Sequence, residues 1–431
     1  MGRKMKFTVK CLGLFFAGTI ACLSAQGEVL DRPSGIKIGE RLTLRPYVSM
    51  SLTYDSNPRT KAGGQAFGSD GDCLWMISPM MSVAYNAENW SLLLDGYYSY
   101  RHYFKEENKR YNSHNYGEDL RWNWSDSSGM EKGWSLIIGQ SYKQITMSED
   151  MVLPDGSNYS SDSRQFQFST AIQRRFNQKV HADLNGSYYW LDYMNNKRSS
   201  SAYYGWDRWT VGADVGYAAS KWLDVILSGS YQGYTQDNAQ RPTTGEWANR
   251  SVGDESVGYT LQAGVGSLLT DRISYRVLAG WSRFEYGDHA SAANGFVYTL
   301  TGNWKIGETW NTMILASSYY HPSERQYASR SRTDAISWGL AKVMVRGKLR
   351  ATLDLRYRRE NHEYTLDTNN DYDYVLDIVT GRIGANYTLN RFLSCFAHLE
   401  YQKSMNDHAS ERNRAYDYDR LRASVGIALS Y

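Results

Sequence analysis

From Arg41 to Tyr431 the chain repeats one pattern, stretches of roughly 11–15 residues in which apolar and polar side chains alternate, each followed by a connection. Strict alternation puts two different chemistries on the two faces of a strand. In the last stretch Leu421, Ala423, Val425, Ile427 and Leu429 share one face, and Arg420, Arg422, Ser424, Gly426 and Ala428 share the other. The same reading sets Leu349, Ala351, Leu353 and Leu355 against Arg350, Thr352, Asp354 and Arg356, and sets Leu184 and Tyr188 against Asp183, Asn185 and Ser187. Such faces need hydrocarbon on one side and water on the other.

Eighteen segments follow this rule, centred near residues 48, 80, 96, 119, 140, 169, 186, 211, 228, 262, 279, 299, 315, 338, 355, 382, 397 and 424. The least regular are 256–269 and 331–345, the second because Lys342 interrupts its apolar face. Connections alternate between short turns, such as 87–89, 177–178 and 390–391, and long loops at 55–72, 104–113, 148–162, 195–202, 236–255, 287–293, 322–330, 362–373 and 404–414. The pattern predicts an all-β fold, a closed antiparallel transmembrane β-barrel of about 18 strands, with 16 also admissible, short periplasmic turns and long extracellular loops. A soluble sandwich has shorter strands and connections that do not sort into two lengths. An open sheet of this width would expose a long adhesive edge, which closure removes.

Before the barrel stands a leader. Arg3, Lys4, Lys6 and Lys10 precede a 13-residue apolar run from Cys11 to Leu23, and Ser24-Ala25-Gln26-Gly27 follow. That is the layout of a secretory signal peptide, so residues 1–27 are expected to be cleaved and 28–40 to form a short periplasmic segment before the barrel at 41–431. Lipidation of Cys22 is the competing reading, and it lacks the usual Leu three residues earlier. Of 48 Lys and Arg, four lie in the leader, leaving 44 against 45 acidic residues, a net of −1. The basicity belongs to the leader, so no nucleic-acid partner is implied. Cys73 and Cys395 remain, far apart in sequence, and do not make a disulfide framework.

Aromatic residues sit beside the short turns. Trp90, Trp134, Trp222 and Trp310 open strands, Trp124 and Trp304 close them, and with Phe176, Phe392 and Tyr431 they are expected to form an interfacial girdle. Tyr54, Tyr100, Tyr103, Tyr193, Tyr234, Tyr286, Tyr319 and Tyr320 are expected to mark the other rim.

The chain resembles Gram-negative outer-membrane barrels, and more narrowly the putative β-barrel porin-2 family. The resemblance rests on Arg45-Pro46-Tyr47-Val48, on Ser51-Leu52-Thr53-Tyr54-Asp55-Ser56-Asn57 and on the terminal Ile427-Ala428-Leu429-Ser430-Tyr431. It implies residence in outer-membrane lipid of a Gram-negative bacterium and recognition of the last strand by the barrel assembly machinery, with Tyr431 where phenylalanine is commoner.

A barrel of this width admits water unless something plugs it. About fifteen residues between leader and first strand leave no room for a plug domain, so a long loop at 55–72, 148–162 or 236–255 is the candidate constriction. The expected function is passive diffusion of small polar or anionic solutes. Alternation turns Arg45, Arg350, Arg356, Arg358, Arg382, Arg420 and Arg422 inward as a basic wall, and Asp95, Asp119, Asp183, Asp214 and Asp224 inward as an acidic wall opposite. Asp354 and Glu400 are close enough in strand order to neutralise part of the basic wall. The rival roles are a surface anchor displaying Tyr- and Asn-rich loops, and a polysaccharide export barrel. A monomer and a homotrimer are both compatible with the pattern.

No P-loop, GxSxG, HExxH or CxxC motif occurs. His181 and His398 face inward, while His102, His114, His289, His321, His362 and His408 lie in or beside long loops, and alternation pairs none of them with a serine. No catalytic residue, enzyme activity or cofactor is therefore assigned. Asp367, Asn369, Asp371 and Asp373 space oxygen ligands as a Ca²⁺ loop does, without its turn glycine and distal Glu.

Overall fold

The computed structural model describes residues 35–58, 71–126, 133–147, 161–193, 205–236, 255–268, 272–286, 290–322, 330–345, 347–363, 374–406 and 417–431. Among these residues nineteen strands run in chain order: β1 (Ile36–Ile38), β2 (Leu42–Asp55), β3 (Asp72–Asn86), β4 (Trp90–Tyr103), β5 (Ser113–Ser125), β6 (Gly133–Met147), β7 (Ser161–Arg175), β8 (Val180–Tyr193), β9 (Trp206–Ser220) and β10 (Leu223–Gln236), then β11 (Glu255–Leu268), β12 (Ile273–Tyr286), β13 (Ala290–Ile306), β14 (Trp310–Pro322), β15 (Arg330–Met344), β16 (Leu349–Glu363), β17 (Tyr374–Thr388), β18 (Leu393–Asn406) and β19 (Tyr418–Ser430). One 3-10 turn, Glu106–Tyr111, lies between β4 and β5.

Each of β2 to β19 pairs antiparallel with its sequence neighbours, and β19 pairs with β2 from Arg422↔Asp55 to Ser430↔Tyr47. The eighteen strands thus form a closed barrel, which leaves no unpaired edge facing lipid. The chain end sits on this seam, where the Tyr431 N–H donates to the Pro46 carbonyl at 3.2 Å. Beyond it β1 folds back through a turn at Gly39 (φ 67) and takes over the edge of β2, Ile36 opposite Leu44 and Ile38 opposite Leu42. The alternation rule did not foresee this three-residue strand, which is too short to show a period.

All eighteen expected segments are strands, including the two least regular. One expected long loop, 287–293, shrinks to 287–289 because β13 begins at Ala290 and pairs it with Tyr286. Pro79 sits inside β3, and the β3–β4 ladder is interrupted there, between the pairs Ile77↔Tyr100 and Met80↔Tyr97, because proline brings no backbone N–H.

The outer face is apolar and uncovered: Leu261 is 58% exposed, Ile383 60% and Val425 58%. A wall of such residues around a closed barrel demands a hydrocarbon environment. Among the described residues no helix is long and apolar enough to cross a membrane. The strands do the crossing.

Candidate functional site

The inner wall is built by the residues that alternate with that apolar surface. All seven arginines of the expected basic wall point inward, from β2, β16, β17 and β19. Register adds what alternation could not. Asp354 on β16 stands opposite Arg382 on β17, which faces Glu400 on β18, then Arg422 on β19, then Asp55 on β2. One row across five strands alternates in sign, and each opposite-charge neighbour contributes about 0.2–1 kcal/mol.

Asp55 anchors the row. Its carboxylate accepts from Arg420 Nε at 2.9 Å, from the Arg420 terminal nitrogen, and from Arg422 Nε at 3.4 Å, while Arg422 also donates to Glu400 at 3.3 Å. Arg420 and Asp55 are 2% and 1% exposed, so Arg420 is withdrawn from the water-lined wall: it locks the seam. The residues after Asp55 reinforce the lock. The Ser56 N–H donates to the Leu421 carbonyl at 2.9 Å, the Leu421 N–H donates to the Ser56 hydroxyl at 2.8 Å, and the Asn57 N–H donates to Asp55 at 3.1 Å. The Asp-Ser-Asn of the family-like motif therefore closes the barrel at its long-loop end.

Arg350, Arg356 and Arg358 share the inner face of β16 with Asp354 and Glu360; Arg358 pairs with Glu360 at 2.9 Å. Across from most of them β15 presents small inward residues, with Ala335 opposite Arg358, Ser337 opposite Arg356, Gly339 opposite Asp354 and Ala341 opposite Thr352, while Val343 stands opposite Arg350. This hollow leaves the guanidinium groups room to reach solvent, and Arg350 and Arg356 are half-buried.

The expected acidic wall needs correction. Asp95, Asp119, Asp183, Asp214 and Asp224 do face inward, and Asp95 stands opposite Asp119 and Asp183 opposite Asp214. Cations that the sequence reading passed over join them on the same wall. Lys143 lies 3.9 Å from Asp119 and Arg276 lies 3.1 Å from Asp214, and Arg175 and Arg208 also point inward. Arg276 reaches Asp214 across β11 and β10, and on β11 Gly266 and Gly264 hold no side chain in its way. This side is a mosaic of both signs rather than an acidic wall.

The long-loop rim differs inside and out. Tyr103, Tyr234 and Tyr286, expected in an outer girdle, instead face inward at 1%, 6% and 1% exposure. They belong to buried apolar clusters: Leu74 with Tyr103, Leu191 with Trp206 and Tyr234, Phe284 with Tyr286 and Ala293. Tyr54, Tyr100 and Tyr320 face outward. At the short-turn rim Trp90, Trp134, Trp222, Trp304 and Tyr431 are exposed on the outer face, and Trp310 stands there half-buried. Cations cover several of them: Arg174 lies 4.5 Å from the Trp134 ring, Lys221 4.6 Å from Trp222 and Lys342 4.3 Å from Trp310. Lys342 interrupts the apolar face of β15 because it sits at the membrane boundary.

Alternation also missed one buried polar chain. His362 Nδ1 is 2.6 Å from the Ser331 hydroxyl, and its Nε2 is 3.1 Å from Glu360. Ser331 is 1% and His362 2% exposed, and the imidazole stacks on Tyr374 at 4.6 Å. The hydroxyl is shielded from solvent, and Ser331, His362 and Glu360, with Tyr374 stacked on the imidazole, tie β15, β16 and β17 together at the long-loop end. Cys73, near the start of β3 at the long-loop rim, and Cys395, near the start of β18 at the short-turn rim, are free thiols. Among the described residues no group of three His, Cys, Asp or Glu side chains could hold a metal ion. Asp367, Asn369, Asp371 and Asp373 lie outside the described residues, as do His289, His408 and most of the three candidate constriction loops.

The fold is that of an outer-membrane β-barrel. Among solved structures, the FrpB iron transporter from Neisseria meningitidis is similar at 9% identity and TM-score 0.45, covering 91% of this chain and 82% of that one. The outer membrane protein opdK from Pseudomonas aeruginosa is similar at 11% identity and TM-score 0.43, covering 90% and 99%. The siderophore receptor PirA from Pseudomonas aeruginosa is similar at 7% identity and TM-score 0.41, covering 92% and 81%. No curated protein matches the chain by sequence. The profile of the family described as Putative beta-barrel porin 2 matches residues 32–431, nearly the whole chain that closes through Asp55 and Arg420, and the protein belongs to that family.

Proposed function

We propose that the barrel is a passive channel for small polar solutes with a preference for anions. The observation that carries this reading is Arg356, half-buried on the inner face of β16 and facing the small Ser337 of β15. Its row holds no carboxylate, for Arg356 stands between Ser337 and Thr380. Fixed positive charge on a low-dielectric wall raises the local concentration of anions and lowers that of cations. The mosaic wall opposite opposes this only weakly, because its carboxylates share their surface with Lys143, Arg276 and Arg175.

Purified protein in a planar bilayer under a KCl gradient tests the reading. The expected result is a steady ohmic conductance with a reversal potential on the chloride side. Absence of conductance from folded protein overturns it and favours a surface anchor. On the same footing, residues 1–27 act as a cleaved export leader, checked by N-terminal sequencing of the mature protein. The last strand ending in Tyr431 serves as the signal for the barrel assembly machinery.

A further inference from the structure

Glu118 is out of place for a porin wall. Lys143 reaches Asp119 inside the barrel, so the alternating neighbours Tyr116, Glu118 and Leu120 of β5 point outward. Counting along β5 from Trp124 at the short-turn rim, Glu118 lies six residues up, roughly 20 Å along the strand. That is well inside an apolar band about 25 Å tall, even after tilt. Leu355, six residues above Leu349 at the same rim of β16, is the ordinary occupant of that level. Other outward charges lie at the boundaries, such as Arg283 with Glu285 and Arg332 with Asp334 above, and Lys342 and Arg174 below.

Glu118 is exposed, and among the described residues no cation lies within ion-pair distance of it. Its surroundings are also unlike a lipid-facing wall. Gly96 stands opposite it on β4, with open space where a side chain would be. On β6 the outward residues include Gln140 and Gln144, and the Tyr116 hydroxyl donates to Gln144 Oε1 at 2.6 Å. A notch beside a carboxylate, with amides and a phenol around it, has no partner in hydrocarbon.

We infer that the outer face of β4 to β6 is not bathed in lipid but packs against a second copy of this chain. The complementarity is internal to the patch. Glu118 offers only acceptors, whereas the Gln140 amide and the Tyr142 hydroxyl offer donors, so the face matches itself across a two-fold axis, as an isologous contact requires. Glu118 of one copy accepts from Gln140 of the other, and the notch over Gly96 admits the approach. This contact is independent of whether the lumen conducts.

The test uses the full-length protein in its own membrane. A photoreactive benzophenone amino acid replaces Gln140, or, as the control on the opposite wall, Val425, and intact outer membranes are irradiated. The expected result is an adduct of twice the chain mass, containing only this chain, from position 140 and not from position 425. Glu118→Leu should lower that adduct on the order of tenfold, the change that about 1.4 kcal/mol of lost contact produces. Heat-modifiable mobility shows that the variant is folded, and Tyr142→Phe supplies a second, milder loss. Lipid adducts alone, equal adducts from both positions, a partner of different mass, or an adduct indifferent to Glu118→Leu would each overturn the inference.

Discussion

Asp55 at the end of β2 and Arg420 near the start of β19, 365 positions apart in the chain, form a buried ion pair across the seam of the barrel. The two charges are desolvated together, and the Asp55 carboxylate is further held by Arg422 and by the Asn57 N–H. A buried pair whose members satisfy each other adds little net stability, but breaking it is expensive because one charge is left stranded.

Asp55→Asn is expected to destabilise the barrel by about 3–5 kcal/mol, seen as a lower temperature for loss of folded gel mobility. The double variant Asp55→Leu/Arg420→Leu should recover most of that loss. If Asp55→Asn alone is neutral, the seam is not locked by this pair.

Arg356→Glu should move the reversal potential in a KCl gradient toward the potassium side, because it inverts a charge in the hollow before β15. Asp224→Asn, on the wall of mixed sign, should change selectivity much less. Equal shifts from the two variants would mean that the basic wall does not set the field.

Gly280→Val is expected to cut the yield of folded barrel sharply. A Cβ at Gly280 would lie 1.9 Å from the Leu261 carbonyl oxygen, so β11 and β12 would have to separate. Overpacking of this kind costs about 1–3 kcal/mol even where neighbours can shift, and backbone cannot. Gly229→Ala, where the nearest atom is 3.9 Å away, is the matched control and should fold normally.

Trp310→Leu and Lys342→Ala should each lower stability by about 0.5–1 kcal/mol, and the double variant by little more than either, because one cation–π contact is removed in all three. Denaturant unfolding followed by tryptophan fluorescence measures the coupling. Strict additivity would show that Lys342 and Trp310 act separately at the interface.

Tyr431 stacks on Phe392 at 5.3 Å at the foot of the seam. Tyr431→Phe should keep assembly intact and Tyr431→Ala should reduce the folded fraction recovered from outer membranes. Equal recovery from both would show that the terminal ring has no part in assembly.

The sequence by itself determined the eighteen strands, which side chains face lipid and which face inward, and which rim carries the short turns. A period of two is a local property, so Arg350, Arg356 and Arg422 could be assigned to the inner face without knowing any neighbour. Strands β11 and β15 were harder to see because Gly264 and Gly266 dilute the alternation in one and Lys342 breaks it in the other. Only the tertiary structure decided which inward residues meet. The stagger between strands is a property of the closed barrel as a whole. It brings Asp55 to Arg420, lays Arg276 over two strands to Asp214, and turns Ser331 to His362. A slip of two residues between the strands concerned would leave every side chain on its own face and still dissolve the contact between them.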